Sequence, residues 1–298
     1  MRRGSQEPTL LVRPEVASED VLDGSDAARF ASRFGLVLDP WQVALCELWM
    51  RRNVAWGISV PRQNGKNGAL EAVELYAMAV LRLRILHTAH EVKTARKHFA
   101  RLKHFFGSKA DDPTARFPQL NRLVREMRSV NGQEAIFLRN PDTGEDLGSV
   151  EVSARSAGAA RGFTNDVLVV DEAQHLKDDE LEALRPAISA APSGDPVAIY
   201  MGTPPKPEAL AEDGVGSAFL RIRSRAVTGE SKRAAWMEFS LDVDLDVLSD
   251  DEIRALAVDK ANWYRVNPAL GRRVFEQTIE DELGELGHRS VARERLNI

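Results

Sequence analysis

The sequence predicts an α/β fold in which a mainly parallel central sheet is flanked by helices, and three observations support this. Short apolar runs rich in β-branched residues alternate with longer segments of helical periodicity. Two runs, 167–170 and 197–201, are almost continuously apolar, which is typical of strands buried on both faces of a parallel sheet. A third run, 54–60, leads through a short polar loop directly into a helical segment, the strand–loop–helix order from which parallel sheets are built.

The individual elements follow from the same periodicities. The predicted strands are 54–60, 84–89, 149–154, 166–170, 197–201 and 235–239. The predicted helices are 40–51, 66–82, 92–106, 179–190, 251–260 and 276–285. Ser249 followed by Glu252 has the pattern of a capping box, so a late helix is predicted to begin there.

Length and composition limit the organisation of the chain. The 298 residues are enough for one large domain and a smaller unit. We expect an N-terminal arm at 1–35, poorly packed to about residue 28, an α/β domain at 36–240, and a small helical linker subdomain at 241–298. The lone cysteine, Cys46, excludes an internal disulfide, and no apolar run approaches the roughly 20 residues that a membrane span needs.

The segment VPRQNGKN at 60–67 follows one predicted strand and opens a predicted helix. This arrangement gathers backbone N–H groups in front of a helix N-terminus, which favours phosphate binding. Gly65 lets the backbone approach closely, and Lys66 would reach the β- and γ-phosphates of a nucleotide, as in a P-loop. The predicted phosphate-contacting residues are Pro61, Arg62, Gln63, Asn64, Gly65, Lys66 and Asn67.

This P-loop departs from the common pattern at two positions. Val60 replaces the usual first glycine, and Asn67 replaces the usual serine or threonine. Asn67 can offer its amide oxygen toward Mg²⁺, but it lacks the hydroxyl. A Gly-Lys pair at a helix start is common in proteins, so the loop alone does not decide between nucleotide binding and an ordinary helix start.

A second element comes from the acidic end of a predicted strand. The buried run 167–170 ends in Asp171 and Glu172. Carboxylates at this end of a parallel strand face the crevice where such sheets bind ligands. Asp171 is therefore predicted to hold Mg²⁺, and Glu172 to polarise the water that attacks a γ-phosphate. An exposed acidic pair at the start of a loop is the alternative, weakened by its position about 100 residues after the P-loop in a β/α alternation.

Three further residues are candidates around a γ-phosphate. Thr203 follows the strand 197–201, so its hydroxyl is predicted to lie beside the same crevice, although the adjacent glycine and prolines also suit an ordinary turn. An arginine finger is expected for phosphoryl transfer. Arg62 could act within the chain, and Arg161, in the small-residue segment 153–165, could reach a neighbouring subunit. For both arginines an ordinary surface charge is the alternative.

Two other features have open interpretations. In Asp39-Pro40-Trp41-Gln42, Gln42 could pair with an adenine edge while Trp41 packs beside it, but a tryptophan at a helix start is usually a core residue. The net charge is −5, yet residues 82–104 contain seven Lys and Arg against one Glu. This basic segment is either a polyanion-binding surface or a solvated helix face.

Together these motifs resemble the large terminase subunits of tailed bacteriophages. The resemblance covers roughly residues 36–298, and the combination is more specific than any single motif. It rests on DPWQ at 39–42, VPRQNGKN at 60–67, ARSAGAARG at 154–162, LVVDEAQHL at 168–176, MGTPP at 201–205 and WYRVNPALG at 263–271.

The resemblance implies an ASCE-type P-loop fold and an ATPase motor that uses ATP and Mg²⁺ to move double-stranded DNA into a procapsid. It also implies a homo-oligomeric ring on the portal protein, a small terminase subunit as partner, and location in the host cytoplasm. By this likeness the roles given above fall to Lys66, Asp171, Glu172, Thr203 and Arg161. Large terminases also carry a C-terminal RNase H-like nuclease, and we expect this chain to be truncated before it.

Two other functions stay open at this point. The first is a superfamily 2-like helicase or translocase, because Asp-Glu-Ala-Gln at 171–174 resembles its acidic box. Residues 206–298 are expected to be too short and too helical for the second RecA-like domain of such an enzyme. The second is a P-loop module that binds without hydrolysis, which Asn67 favours and which Lys66 and Glu172 oppose.

Overall fold

A computed structural model describes residues 2–14, 24–51, 54–130, 132–155 and 164–298, and these contain one sheet of nine strands. The strands are β1 (Leu10–Val12), β2 (Ala55–Ser59), β3 (Arg84–Ala89), β4 (Val124–Arg128), β5 (Glu134–Arg139), β6 (Asp146–Ala154), β7 (Val167–Asp171), β8 (Val197–Gly202) and β9 (Ala234–Glu238). The helices are α1 (Gly24–Ser32), α2 (Pro40–Trp49), α3 (Lys66–Ala79), α4 (Val92–Phe106), α5 (Pro118–Asn121), α6 (Asp178–Leu184), α7 (Pro207–Asp213), α8 (Ser217–Val227), α9 (Asp250–Val258), α10 (Lys260–Val266), α11 (Glu276–Leu286) and α12 (His288–Leu296).

The strand order of the sheet is β1-β9-β2-β8-β7-β3-β6-β5-β4. The six strands from β9 to β6 run parallel, and antiparallel strands continue the sheet on both sides. Strand β8 lies between β2, which precedes the P-loop, and β7, which carries the acidic pair. This inserted strand is the arrangement of ASCE-type P-loop proteins, so the predicted fold class is confirmed.

Helices cover both faces of the central strands. On one face Ile58, Val169 and Ile199 belong to a core that includes side chains of α2, α3 and α4. On the other face Leu168 and Tyr200 pack with side chains of α6 and α8. Successive residues of a strand point to opposite faces, so two cores require the continuous apolar runs seen in the sequence.

Three strands were not predicted, and one expectation is wrong. Strands β4 and β5 mix charged and apolar residues, and β1 has three residues, too few to show a period. Strand β1 pairs with β9, and the N–H of Gly4 donates to the carbonyl of Leu270 at 2.9 Å. The expectation of a poorly packed arm is therefore wrong for residues 2–14. Helix α6 also ends earlier than predicted, because Pro186 lacks the N–H that would continue it.

The described chain after β9 is mainly helical and has a hydrophobic cluster of its own. Trp263, Leu270 and Ile279 are among its buried members. At the start of α9 the Ser249 hydroxyl accepts a hydrogen bond from the Glu252 N–H at 3.4 Å, which confirms the predicted capping box. Among the described helices, none combines the length and apolar character that crossing a membrane requires.

Candidate functional site

The P-loop, which joins β2 to α3, has the backbone geometry of a phosphate cradle. Gly65 is left-handed at the N-cap of α3, with φ of 97°. Gln63 also has a positive φ, of 61°, which non-glycine residues rarely adopt. A Cβ on Gly65 would lie 3.0 Å from a nitrogen of Arg273 and 3.1 Å from the amide nitrogen of Gln42, so space as well as conformation favours glycine. The N–H groups that open α3 therefore face the loop.

A buried amide network holds the loop from below. Asn64 and Asn267 are both 0% exposed, and Asn64 Nδ2 lies 3.1 Å from Asn267 Oδ1. Asn64 Oδ1 accepts from the Ala269 N–H at 2.9 Å. Asn267 Nδ2 donates to the carbonyl oxygens of Trp263 at 3.0 Å and Arg295 at 2.7 Å. Residues of the helical C-terminal region thus set the shape of the P-loop.

Replacing Asn267 by alanine should destabilise the protein. The change leaves buried partners unsatisfied on both sides of the network, at an expected cost of about 2–4 kcal/mol in the free energy of unfolding. Urea denaturation of Asn267→Ala and wild type measures it. Asn262→Ala, which removes one part-buried bond to the Leu256 carbonyl, is the control, and an equal effect of both substitutions would contradict the network's importance.

Gln42 supports the loop from α2. Its Nε2 donates to the Gly65 carbonyl at 2.6 Å, and its Oε1 accepts from the Asp39 N–H at 2.8 Å. Gln42 is 3% exposed, and Trp41 is 1% exposed and packs edge-on against Phe239. In this arrangement Gln42 contacts the P-loop and presents no free edge to an adenine, and Trp41 is a core residue.

The acidic pair reaches the same edge of the sheet as the P-loop. In the strand register, Asp171 is level with Met201, and Ser59 is level with Gly202. Only β8 separates the two strand ends, a span of about 10 Å. The Asp171 side chain is buried, and its Oδ1 accepts from the Glu172 N–H at 2.8 Å.

Glu172 turns sharply away from the strand. Its backbone is left-handed, with φ of 53° and ψ of 46°. Its carboxylate oxygen Oε2 is buried and has no hydrogen-bond partner within the described ranges. Burial, and then the neighbouring Asp171, raise the pKa of the Glu172 carboxyl. The site therefore contains a half-buried carboxylate with an acceptor oxygen available to a further donor.

Lys66 faces both acids. Its Nζ donates to the carbonyl of Val60 at 3.1 Å. Burial lowers the pKa of Lys66 to about 8, and the charges of Asp171 and Glu172 oppose this lowering. The P-loop lysine and the acidic pair therefore interact across a single cleft, as the motifs predicted.

Thr203 and Arg62 lie at the same cleft. The N–H of Thr203 donates to Gln174 Oε1 at 3.3 Å. Arg62 Nε lies 2.6 Å from a carboxylate oxygen of Glu294 in α12, and its side chain is 55% exposed. Together with His175, these residues line a cavity of about 60 Å³.

The other predicted site residues have varied positions. Pro61 is buried, Gln63 is exposed, and Asn67 is partly buried in the first turn of α3, next to Lys66. Arg161 lies outside the described residues, so its role stays a prediction.

Comparison with known proteins was made at the level of families, sequences and structures. No protein-family model matches the chain, and no curated protein matches its sequence. Among solved structures, the large terminase of bacteriophage HK97 aligns with a TM-score of 0.67 and 18% identity over 92% of this chain. The chain has the fold of a phage large terminase.

The terminase resemblance drawn from the motifs is thus confirmed at the level of the fold. The chain spans about half of the HK97 terminase, 54% of its length. More distant similarities link it to the ATPase domain of the Thermus phage P74-26 large terminase, with 19% identity, a TM-score of 0.46 and coverage of 61% of this chain and 70% of that one. For the large terminase of a further thermophilic bacteriophage, in complex with ADP, the values are 12%, 0.42, 72% and 46%.

Within this terminase fold, sequence reasoning missed a buried arginine beside the acidic pair. The side chain of Arg155 is 0% exposed and donates to the carbonyl oxygens of Asp171 and Glu172. The surrounding small, polar residues suggested a surface segment instead. A stacked pair, His90 and His175, with ring centroids 4.5 Å apart, was also missed, because its members are distant in sequence.

A second missed cluster holds the helix that follows the P-loop. The carboxylate of Glu74 in α3 lies 2.8 Å from His87 Nδ1 and 2.7 Å from His98 Nε2, and all three side chains are buried. The two rings stack with centroids 3.7 Å apart and an interplanar angle of 14°. Nearly parallel rings direct their lone pairs side by side, which suits a hydrogen-bonded cluster better than convergence on one metal ion. The cluster joins α3 to β3 and α4.

Proposed function

We propose that this chain is the ATPase motor of a viral DNA-packaging terminase and hydrolyses ATP to move double-stranded DNA into a procapsid. The observation that carries the proposal is the meeting of Lys66 with Asp171 and Glu172 across one inserted strand. Phosphoryl transfer from a nucleoside triphosphate needs a cation for the phosphates, a carboxylate for Mg²⁺ and a group that orients the attacking water. The terminase fold supports the same function.

Glu172 is suited to the water-orienting role. Its buried Oε2 lacks a hydrogen-bond partner in the part of the chain that the structure describes, so it can accept a hydrogen bond from water. Lys66 supplies positive charge to the β- and γ-phosphates. These two residues perform the chemistry in the proposed mechanism.

The residues present also fit a Mg²⁺ ion. Carboxylate and amide oxygens are the hard donors that Mg²⁺ prefers, and Asp171 and Asn67 provide them at the strand end and the helix start. Asp171 uses one oxygen to accept from the Glu172 N–H, which keeps its carboxylate in place. When bound, Mg²⁺ would neutralise charge on the phosphate oxygens.

The remaining candidates surround the γ-phosphate in this proposal. Arg62 is paired with the carboxylate of Glu294, and a phosphate group could take the place of that carboxylate. A cavity of about 60 Å³ would have to widen to admit a triphosphate, so we expect this pair to open on binding. Thr203 would respond to the γ-phosphate, and Arg161 would act on the nucleotide of a neighbouring subunit.

Phosphate release from ATP and Mg²⁺ tests the proposal. The wild-type chain should release phosphate faster than the double variant Lys66→Ala/Glu172→Ala, which measures any contaminating activity, and duplex DNA should increase the rate. Wild-type release no faster than that of the double variant, with retained binding of a fluorescent ATP analogue, would instead identify a non-hydrolysing module. ATP-dependent separation of a forked duplex would favour the helicase alternative.

The exposed side of α4 is the proposed DNA-contacting surface. Arg96 lies 3.4 Å from Glu134, and Arg101 is paired with Glu71, so these arginines are partly neutralised. Lys93 and Lys97 are exposed one helical turn apart. They are therefore the cations of this helix best placed to contact DNA phosphates.

Reversing these two charges should weaken DNA binding. In Lys93→Glu/Lys97→Glu, the slope of log affinity against log salt should fall by roughly 2, because each lost phosphate contact removes about 0.9. Fluorescence anisotropy of labelled duplex DNA at several salt concentrations measures the slope. Lys109→Glu/Arg254→Glu, an equal charge change at exposed positions elsewhere, is the control. Identical slopes for the two variants would place the DNA contacts on another surface.

The assembly implied by the resemblance is part of the same proposal. We expect a homo-oligomeric ring on the portal protein, a small terminase subunit as partner, and activity in the host cytoplasm. Sedimentation of the chain with and without purified portal tests the first of these, and failure to co-sediment in the presence of an ATP analogue would oppose it.

A further inference from the structure

Arg155 joins three strands at the catalytic edge of the sheet. It follows β6, and its N–H donates to the Ala89 carbonyl of β3 at 2.8 Å. Its buried guanidinium extends to the end of β7, where it donates to the Asp171 carbonyl and, at 3.0 Å, to the Glu172 carbonyl. Its Nε lies 3.7 Å from a carboxylate oxygen of Glu180. One side chain thus binds two successive carbonyl groups where the strand ends.

The bound carbonyl groups belong to a strained part of the backbone. Glu172 is left-handed, a conformation that costs free energy in a residue other than glycine and persists only when its surroundings hold it. Burying a guanidinium is also unfavourable unless its donors are satisfied. Both costs are offset by the same two hydrogen bonds, so Arg155 and the turn at Glu172 depend on each other.

Arg155 also belongs to the charged groups around the Glu172 carboxyl. Burial and Asp171 raise the pKa of this carboxyl, whereas the Thr94 hydroxyl of α4, Arg155 and His90 lower it. Lys66 of α3 faces it as well. Arg155 therefore favours the ionised form of Glu172 in addition to holding its backbone.

We propose that Arg155 is a positioning residue for Glu172, holding the end of β7 in the turn that directs the carboxylate at the attacking water. This inference rests on the proposed ATPase function. Arg155 acts through the backbone of residues 171 and 172, without contact with the nucleotide.

Two substitutions separate its two effects. In the full chain, Arg155→Gln should lower kcat about tenfold or more and leave the KM for ATP within about twofold, because water orientation is lost while phosphate binding is kept. The acid limb of its kcat–pH profile should move to higher pH, since removing a positive charge raises the pKa of Glu172. Arg155→Lys keeps the charge but loses the planar fork, so its kcat should fall while its acid limb stays in place.

The matched control is Arg221→Gln, which removes an exposed arginine that pairs with Asp178, also in α6. It should match wild type in kcat and pH profile. If Arg155→Gln does not fold, as judged by circular dichroism, Arg155→Lys alone provides the kcat test.

Titration of the Glu172 carboxyl by ¹³C NMR in the nucleotide-free chain gives a readout that does not need turnover. The pKa should be higher in Arg155→Gln than in wild type and unchanged in Arg221→Gln. An unshifted pKa, or a kcat in Arg155→Lys equal to that of wild type, would overturn this inference while leaving the ATPase proposal intact. A wild-type chain without turnover, but with the shifted pKa in Arg155→Gln, would overturn the ATPase proposal and leave the contact between Arg155 and Glu172 supported.

Discussion

Glu172→Gln should reduce ATP turnover by a factor of about 10²–10⁴ while leaving ATP affinity nearly unchanged. The glutamine keeps the size of the side chain and an acceptor oxygen, but it loses the charge that would polarise the attacking water. Binding should be retained, because the phosphates contact the P-loop and Lys66 rather than this carboxylate. Single-turnover phosphate release and equilibrium binding of a fluorescent ATP analogue measure the two effects separately.

Glu285→Gln is the control for this substitution, since it removes an exposed carboxylate from α11, away from the cleft. Its turnover should equal that of wild type. Turnover in Glu172→Gln within about twofold of wild type would remove Glu172 from the proposed mechanism, because general base assistance is worth far more than this.

Lys66→Met should weaken ATP binding about 10–100-fold, the usual value of a hydrogen bond to a charged group, and lower turnover at least as much. Wild-type binding should also depend on pH. Burial lowers the pKa of Lys66 to about 8, so the ammonium is charged below this pH and neutral above it. Affinity should therefore fall as pH rises through 8, by at most about tenfold per unit, because one proton is linked to binding.

Lys66→Arg tests the origin of this pH dependence, since a guanidinium stays charged throughout the range. Its dissociation constant, measured by isothermal titration calorimetry at several pH values on both sides of the Lys66 pKa, should be almost independent of pH, even if binding is weaker. A wild-type dissociation constant that is equally flat would show that Lys66 does not control binding.

Much of the fold was predictable because its central strands are buried on both faces. The runs at 167–170 and 197–201 are continuously apolar, and both became inner strands of a parallel sheet. The contact of Lys66 with Asp171 and Glu172 was predictable for a related reason: parallel strands place their C-terminal ends at one edge. Local pattern and topology together were sufficient for this part of the candidate site.

The supporting residues could not be predicted in the same way. Arg155 stands among small and polar residues, and its burial depends on carbonyl groups 16 and 17 positions away. Asn64 and Asn267 are ordinary polar residues in sequence, and only the docking of the C-terminal helices makes them a buried pair. Gln42 has its amide hydrogen-bonded to Gly65 and Asp39, a use that a motif alone does not distinguish from base recognition. Side-chain partners that are distant along the chain leave no periodic signal.

The amide network under the P-loop has a consequence for how the protein folds during synthesis. Asn64 is bonded to a residue 203 positions downstream, and Ser59 to Asn297, 238 positions downstream. Contacts of such long sequence separation form late, because closing a long loop is entropically unfavourable. A nascent chain emerging from the ribosome would thus expose an incomplete nucleotide loop until the helices after residue 260 had been translated. A protease cut near residue 245 should likewise abolish ATP binding if the two fragments separate, even though neither fragment would have lost a residue from the motifs themselves.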